Sequence, residues 1–130
     1  MIAADTSTWV AFLEGSEGED ARLLDRALEE RQVLMVPVVL TELLSDPKLP
    51  SSVAETLAKV PLVEVEPGYW QRAGFLRARV LAKSRKARLG DALIAQSCID
   101  HGIPLLTRDR DFRAFAATAD LDLVLGTKTH

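Results

Sequence analysis

Short apolar runs alternate with longer amphipathic stretches along the chain. The runs consist mainly of Val, Leu, Ile, Met and Ala, and they are bounded by Pro, Gly or charged residues. A run that is apolar at nearly every position is typical of a strand buried on both faces. The predicted strands lie at 2–4, 33–36, 62–65, 104–107 and 121–125.

The stretches between these runs carry apolar residues at helical spacing. Ala21, Leu24, Ala27 and Leu28 form one stripe, and Pro37 suits the first turn of a helix. The predicted helices run through 9–13 and cover about 19–31, 37–44, 51–59, 69–84, 90–99 and 111–117. Strands that alternate with helices indicate an α/β fold in which helices cover both faces of a parallel sheet.

Length and composition narrow the class of protein. The 130 residues fit one domain, 1–130, and leave no room for a second. The single cysteine, Cys98, cannot form an internal disulfide, which fits a reducing cytoplasm. No apolar stretch approaches the ~20 residues that span a bilayer, and the first residues lack the pattern of a secretory signal. We therefore expect a soluble cytoplasmic protein without a membrane partner.

Four carboxylates, those of Asp5, Glu42, Asp91 and Asp109, lie where apolar segments meet turns or helix starts. In open α/β sheets, sites form beyond the carboxyl ends of the strands, where three of these acids are expected to converge. Acids brought together repel one another, and a divalent cation would offset that repulsion. Each acid also has a purely structural interpretation. Asp5 and Asp91 could be helix N-caps, Asp109 a turn former and Glu42 a boundary residue that reaches water.

A basic segment lies between two of these acids. Residues 67–90 contain no Asp or Glu, although the whole chain has a net charge of −3. The basic residues of the segment are Arg72, Arg77, Arg79, Lys83, Arg85, Lys86 and Arg88. A positive segment beside an acidic pocket suits a polyanion such as RNA. A solvated helix face, or a surface for an acidic partner, would give the same charge pattern.

Segments 2–7, 41–43, 90–95 and 105–112 resemble, in order and spacing, the PIN-domain ribonucleases, and the short length is most similar to the VapC-type toxins of toxin–antitoxin pairs. The resemblance covers nearly the whole chain. It implies a three-layer α/β/α fold on a parallel sheet of about five strands. It also implies Mg²⁺-dependent cleavage of RNA, in which Mn²⁺ can substitute, together with a homodimer and a small antitoxin partner whose basic or aromatic segment enters the acidic pocket.

The resemblance also assigns roles to individual residues. Asp5, Glu42, Asp91 and Asp109 match the catalytic acids of the family. Ser7 and Thr107 match hydroxyl positions beside those acids, and Asp111 is an accessory acid that could otherwise cap the short helix after it.

Carboxylate oxygens are hard ligands suited to Mg²⁺ or Mn²⁺. We expect Asp5, Asp91 and Asp109 to bind the metal, with Asp5 and Asp91 the foremost direct ligands. His101 ends a helix and His130 is the last residue, so neither is well placed as a general base. Cleavage by metal-activated water is therefore expected, leaving 5′-phosphate and 3′-hydroxyl ends.

Several alternatives compete with this interpretation. The chain could be a non-cleaving PIN-like interaction module, or a housekeeping PIN nuclease without an antitoxin. A phosphoryl-accepting receiver domain would need an adjacent acidic pair after the first strand, and dinucleotide binding would need a GxGxxG motif; residues 2–15 contain neither. Trp9, Tyr69 and Trp70 could stack on bases, although Trp9 lies in an apolar helix and suits the core better.

Overall fold

The computed structural model describes residues 1–125, and in this part of the chain seven helices pack around a parallel sheet. His130 lies outside the described residues. The elements in chain order are β1 (Ala3–Ala4), α1 (Thr6–Leu13), α2 (Glu19–Glu29), α3 (Pro37–Leu44), α4 (Ser51–Ala58), α5 (Tyr69–Ala82), α6 (Leu89–His101), β2 (Leu105–Thr107), α7 (Phe112–Thr118) and β3 (Leu123–Leu125). The predicted alternation of strands and helices is confirmed.

The three named strands are parallel, in the order β1-β2-β3. Ala3 pairs with Leu105, and Leu105 pairs with Leu123. Two isolated parallel bridges, Ile2 to Val33 and Met35 to Leu62, extend the sheet beyond β1. The prediction of a parallel sheet is therefore confirmed.

The predicted strands at 33–36 and 62–65 join the sheet only through these single bridges. Pro61 directly precedes the bridged Leu62, and Pro37 begins α3 two residues after the bridged Met35. Neither proline has an N–H, so neither can donate a ladder hydrogen bond. The count of about five strands is reached only when both bridged segments are included.

The core lies on both faces of the sheet, because successive residues of β1 and β2 are buried. The largest fully buried side chains include Trp9, Met35, Phe112 and Phe115, so the core interpretation of Trp9 is confirmed. Within residues 1–125 no helix is both long and apolar enough to cross a membrane.

Helix ends agree with the predictions to within about two residues. Helix α5 stops at Ala82, where the prediction extended to 84, because Ser84 has a left-handed φ of 57°. Helix α2 stops at Glu29 for the same reason, since Arg31 has a φ of 55°.

Candidate functional site

Asp5 links the end of β1 to the start of α1. It is the N-cap of α1, and its Oδ1 accepts a hydrogen bond of 3.0 Å from the backbone N–H of Thr8. The Ser7 hydroxyl lies 2.9 and 2.8 Å from the two carboxylate oxygens, and the Thr107 hydroxyl donates to Oδ2 at 2.6 Å. Burial raises the pKa of Asp5, and these hydrogen bonds oppose the rise. The N-cap interpretation is thus confirmed, and the same carboxylate is held toward the end of β2.

Thr107 connects Asp5 with Asp109. Its side chain is fully buried at the end of β2, and its hydroxyl oxygen accepts a 2.9 Å hydrogen bond from the backbone N–H of Asp109. The Asp109 carboxylate in turn accepts a 2.9 Å bond from the N–H of Asp111. Both hydroxyl residues predicted to accompany the acids, Ser7 and Thr107, therefore contact Asp5 directly.

Asp91 lies in the first turn of α6, three residues after the N-cap Arg88 and two after the first helical residue, Leu89. It is not the N-cap, so that structural interpretation of Asp91 is wrong. Burial, together with the negative charge of Asp109, raises its pKa to about 6, and the charges of Asp5 and Glu42 act in the same direction. The negative charges of three acids therefore act on Asp91. One follows β1, one lies on α3 and one follows β2.

One oxygen of Asp91 has no partner among the described residues. Its Oδ2 is buried and makes no hydrogen bond, whereas buried polar atoms are nearly always paired. Ligand oxygens of Asp91, Asp109 and Asp111 all lie within 4.8 Å of one another. An unpaired buried carboxylate oxygen among hard oxygen donors fits a divalent cation such as Mg²⁺ or Mn²⁺.

The tightest acidic group differs from the predicted metal set. Asp111, expected as an accessory, lies within it, whereas Asp5, expected as a direct ligand, lies outside it. Hydroxyl and backbone donors occupy the carboxylate of Asp5. Asp111 stands at the N-cap of α7, but its side chain makes no capping hydrogen bond.

Glu42 borders the same site from α3. Its side chain is exposed, and its Oε1 accepts a 2.7 Å hydrogen bond from the Thr6 hydroxyl. A Cβ atom placed on Gly90 would lie 3.8 Å from Glu42 Oε2, which brings this acid next to the start of α6. Glu42 therefore reaches water, as expected of a boundary residue, and also faces the acidic site, as expected of one of its acids.

Four of the seven predicted RNA-binding residues contact protein groups other than the four predicted acids. Arg72 pairs with Asp100, Arg77 donates to the carbonyl of Ala87, Arg79 donates to the carbonyl of Thr118, and Lys83 donates to the Thr118 hydroxyl.

The other three predicted residues, Arg85, Lys86 and Arg88, follow α5 and are exposed. Lys86 forms a 3.3 Å ion pair with Asp111, and Arg88 lowers the pKa of Asp91. This part of the basic segment therefore adjoins the acidic site.

The aromatic candidates separate by burial. Trp9 and Tyr69 are buried, and the Tyr69 hydroxyl donates to the carbonyl of Leu93 at 2.6 Å. Trp70 is 61% exposed, so it is the one member of the predicted set that can present its ring to solvent.

Sequence reasoning missed three residues around the site. Thr6, which donates a hydrogen bond to Glu42, directly follows Asp5, and nothing else in its local sequence indicates that contact. Arg108 lies between Thr107 and Asp109, and this position was the only signal available for it. Asp20 binds Arg108 from 88 positions away, and nothing in its local sequence indicates that contact.

Comparison with known proteins gives concordant results. The family model described as PIN domain matches residues 2–118. Similar proteins include VapC ribonuclease Mb1587 of Mycobacterium bovis and ribonuclease VapC11 of Mycobacterium tuberculosis. Each is 28% identical over 128 residues, which covers 93% of this chain and 96% of the relative.

Among solved structures, VapBC2 from Rickettsia felis, bound to a DNA fragment from its promoter, is similar in fold. The TM-score is 0.73 at 21% identity, over 96% of this chain and 98% of the other. At this identity the likeness shows the fold alone.

Proposed function

The chain belongs to the PIN domain family, and from that premise we propose that it is a Mg²⁺- or Mn²⁺-dependent endoribonuclease, the toxin of a toxin–antitoxin pair. The observation that carries the proposal is the unpaired Oδ2 of Asp91 beside Asp109 and Asp111. The ribonuclease names of the VapC relatives support the same activity.

The proposed cation is held by Asp91 and Asp109, with Asp5 as the third predicted ligand. Mg²⁺ takes one or two direct carboxylates and keeps several waters, so the other acids can act through water. When bound, the cation supplies the charge that activates the attacking water and offsets charge on the scissile phosphate. Asp111 is placed to serve the same site as an accessory.

The chain's own side chains orient these acids. Ser7 and Thr107 hold the Asp5 carboxylate, and Thr6 holds Glu42. Asp91 must lose its proton before it can bind a cation, and its raised pKa makes that step depend on pH. Hydrolysis by water leaves a 5′-phosphate and a 3′-hydroxyl on the two RNA products, whereas 2′,3′-cyclic phosphate ends would contradict the mechanism.

RNA contact is proposed for Arg85, Lys86 and Arg88. These side chains are exposed, and two of them act on acids of the site. Lysine and arginine side chains beside a metal site can bind the phosphates on either side of the cleaved bond. The remaining basic residues of the predicted set hold protein groups, so we assign them first to the fold.

An antitoxin segment is proposed to lie in an apolar groove beside the acids. Two adjoining depressions share Leu13 of α1 and Val53 of α4. Phe12 and the buried Leu57 also line the first, and the second extends to Glu42. A partner with apolar residues followed by a basic segment would complement this surface, since three acids, Glu14, Glu42 and Asp46, line the second depression against one basic residue, Lys48.

A homodimer is proposed through α5. Trp70, Phe75 and Leu81 are 61%, 71% and 46% exposed, and Gly74 and Ala78 lie between them on the same side of the helix. An exposed apolar surface of this kind marks an interaction site. A second copy of the chain is the occupant that the family resemblance implies.

The alternatives are a non-cleaving PIN-like module and a housekeeping nuclease without an antitoxin. We propose that residues 1–130 form one domain that acts on RNA in the cytoplasm, where Cys98 would stay reduced. A small cotranscribed reading frame upstream would favour the toxin over the housekeeping nuclease.

The deciding experiment is a Mn²⁺ titration by calorimetry of the wild type and Asp91→Asn, followed by analysis of RNA product ends. Binding that the variant loses, together with 5′-phosphate products, supports the nuclease. Binding without cleavage of any tested RNA favours the non-cleaving module. No binding to the wild type at concentrations well above millimolar contradicts the metal site.

A further inference from the structure

We propose that the ion pair between the buried Asp20 and the partly exposed Arg108, together with Thr8, is a positioning device that fixes Asp5 and Asp109 relative to each other. The inference rests on the proposed function, because it says which residues outside the proposed metal site hold its acids in place. It concerns three residues from α1, α2 and the segment after β2, none of which belongs to the acidic site.

Asp20 is the centre of the device. Its side chain is 2% exposed in the first turn of α2. Its two oxygens accept hydrogen bonds of 2.8 Å from Nε and Nη2 of Arg108, and Oδ2 also accepts a 2.9 Å bond from the Thr8 hydroxyl. Arg108 and these hydrogen bonds lower the pKa of Asp20 despite its burial, so the carboxylate is charged at neutral pH.

Each partner of Asp20 adjoins a residue of the site. The backbone N–H of Thr8 donates to Asp5 Oδ1, while the Thr8 hydroxyl donates to Asp20. Arg108 lies in the chain between Thr107, which donates to Asp5, and Asp109. Asp20 therefore joins the two segments that present Asp5 and Asp109, at points different from the direct bond between Asp5 and Thr107.

The local backbone is built to admit Arg108. The Arg108 Nη2 also donates to the carbonyl of Glu17 at 3.3 Å. Gly18 has a φ of +150°, and a Cβ at this position would lie 2.6 Å from both Arg108 Nη2 and Asp20 Oδ1. The loop before α2 thus reserves space for the guanidinium, which a side chain at residue 18 would occupy.

Stability alone does not account for this arrangement. Arg108 is 28% exposed and Asp20 is 2% exposed, so the pair lies between the surface and the buried case. An exposed ion pair contributes little to stability, and replacing a buried one by apolar residues of similar volume is often neutral or stabilising. The planar fork of arginine instead fixes a carboxylate in distance and orientation. Compared with an apolar contact, the ion pair therefore adds a fixed distance and orientation between two segments. These are the segments that carry Asp5 and Asp109.

The test uses a variant that removes the device without leaving an unpaired charge: Thr8→Val, Asp20→Leu and Arg108→Met combined. Its net charge equals that of the wild type, although the attraction between the charges of Arg108 and Asp5 is lost with the arginine. Hydrogen exchange is measured on the metal-free protein at the amides of Thr8 and Asp109, with the sheet amide of Leu34 as the internal reference. We expect exchange at both site amides to become at least about tenfold faster relative to Leu34.

Mn²⁺ affinity is measured on the same proteins. Mutation of residues that orient metal ligands typically lowers metal affinity or activity by about 10–100-fold. We expect the triple variant to lose about tenfold in Mn²⁺ affinity, at the lower end of that range. In RNA cleavage, kcat should fall while KM stays nearly constant. A merely structural role would lower the melting temperature and leave the Mn²⁺ affinity of the folded protein unchanged.

A matched control exists in the last turn of α6, at the end of the helix opposite to Asp91. Asp100 accepts a fork from Arg72 and a third bond of 2.8 Å from Gln96, in the same pattern as Asp20. The combination Arg72→Met, Gln96→Met and Asp100→Leu makes the same chemical change there. It should leave Mn²⁺ affinity and exchange at Thr8 and Asp109 at wild-type values.

The outcomes separate the two proposals. Unchanged exchange at both site amides in the first variant, or equal changes in the control, overturns the positioning role. Absence of Mn²⁺ binding by the wild type contradicts the proposed function, and hydrogen exchange then still decides the positioning role. If the triple variant does not fold, Arg108→Lys, which keeps the charge and loses the fork, replaces it. Wild-type exchange and Mn²⁺ affinity in Arg108→Lys would likewise overturn the proposal.

Discussion

Thr107 donates a 2.6 Å hydrogen bond to Asp5 across 102 positions of the chain. The same hydroxyl oxygen accepts from the N–H of Asp109. One buried hydroxyl therefore sets the distance between two proposed metal ligands.

Thr107→Val keeps the shape of the side chain and removes its hydroxyl. The buried Asp5 carboxylate would lose a donor, which should cost about 1.5–3 kcal/mol of unfolding free energy. Mn²⁺ affinity should fall about tenfold or more, because the ligand loses its orienting partner. Calorimetry and urea unfolding measure the two effects. Thr107→Ser restores the hydroxyl and should recover most of both, and wild-type affinity in Thr107→Val would contradict the role of this hydroxyl.

Asp91 should make the metal-free protein less stable as pH rises from about 4 to about 6. Its pKa in the folded protein, about 6, exceeds its ordinary value of 3.8, so the folded state holds the proton more tightly than the unfolded chain. Asp91→Asn should therefore raise the unfolding free energy by about 2 kcal/mol at pH 7, with little effect below pH 4.

Urea unfolding in a chelating buffer at both pH values checks this prediction. Asp100→Asn is the control with the opposite sign, because Arg72 and Gln96 lower the pKa of Asp100 and its ionised form stabilises the fold. Destabilisation by Asp91→Asn at pH 7 would show that burial and the neighbouring acids together do not disfavour the ionised form of Asp91.

Arg85→Ala combined with Arg88→Ala should raise the KM for RNA with little change in kcat. Each lost phosphate contact should also reduce the salt dependence of RNA binding by about one unit of its logarithmic slope. Fluorescence anisotropy over a range of salt concentrations measures this slope. Arg22→Ala, which removes an exposed charge on α2, is the control and should leave the slope unchanged.

Leu13→Asp should weaken binding of the antitoxin, because it places a charge where the two apolar depressions meet. We expect at least about a tenfold loss of affinity, with wild-type Mn²⁺ binding. Where a small cotranscribed reading frame lies upstream of the gene, the protein it encodes is the partner to titrate. Val124→Asp, at a similarly exposed position on β3, is the control. Equal binding to wild type and Leu13→Asp would place the partner elsewhere.

Phe75→Glu should convert a dimer into a monomer. The side chain is 71% exposed on α5, so the change should leave the protomer folded. Multi-angle light scattering gives the mass in solution. Leu62→Glu alters an apolar residue that is 51% exposed outside α5 and should leave the dimer intact. A monomeric wild type at micromolar concentration would contradict the proposed dimer.

Local pattern determined much of the fold. The periods of apolar residues located the helices and the strand segments, because each element must turn an apolar side toward a common core. The pattern predicted full strands at 33–36 and 62–65, whereas each segment joins its neighbours only through single bridges. Whether a proline interrupts the hydrogen bonds of a strand depends on which strand lies beside it, and the pattern does not give that. The acids were found because they stand at element ends, where a parallel sheet brings its carboxyl edge together.

The sequence by itself therefore determined which elements form and which acids meet at the edge of the sheet. Only the tertiary structure decided how those acids are supported: that Thr107 bonds Asp5, that Asp111 joins Asp91 and Asp109, and that Asp20 receives Arg108. The spacing of apolar residues a few positions apart is enough to show which side of a helix or strand is buried. A hydrogen bond between side chains distant in the chain depends on distances of a few ångströms, which exist only once the elements have packed.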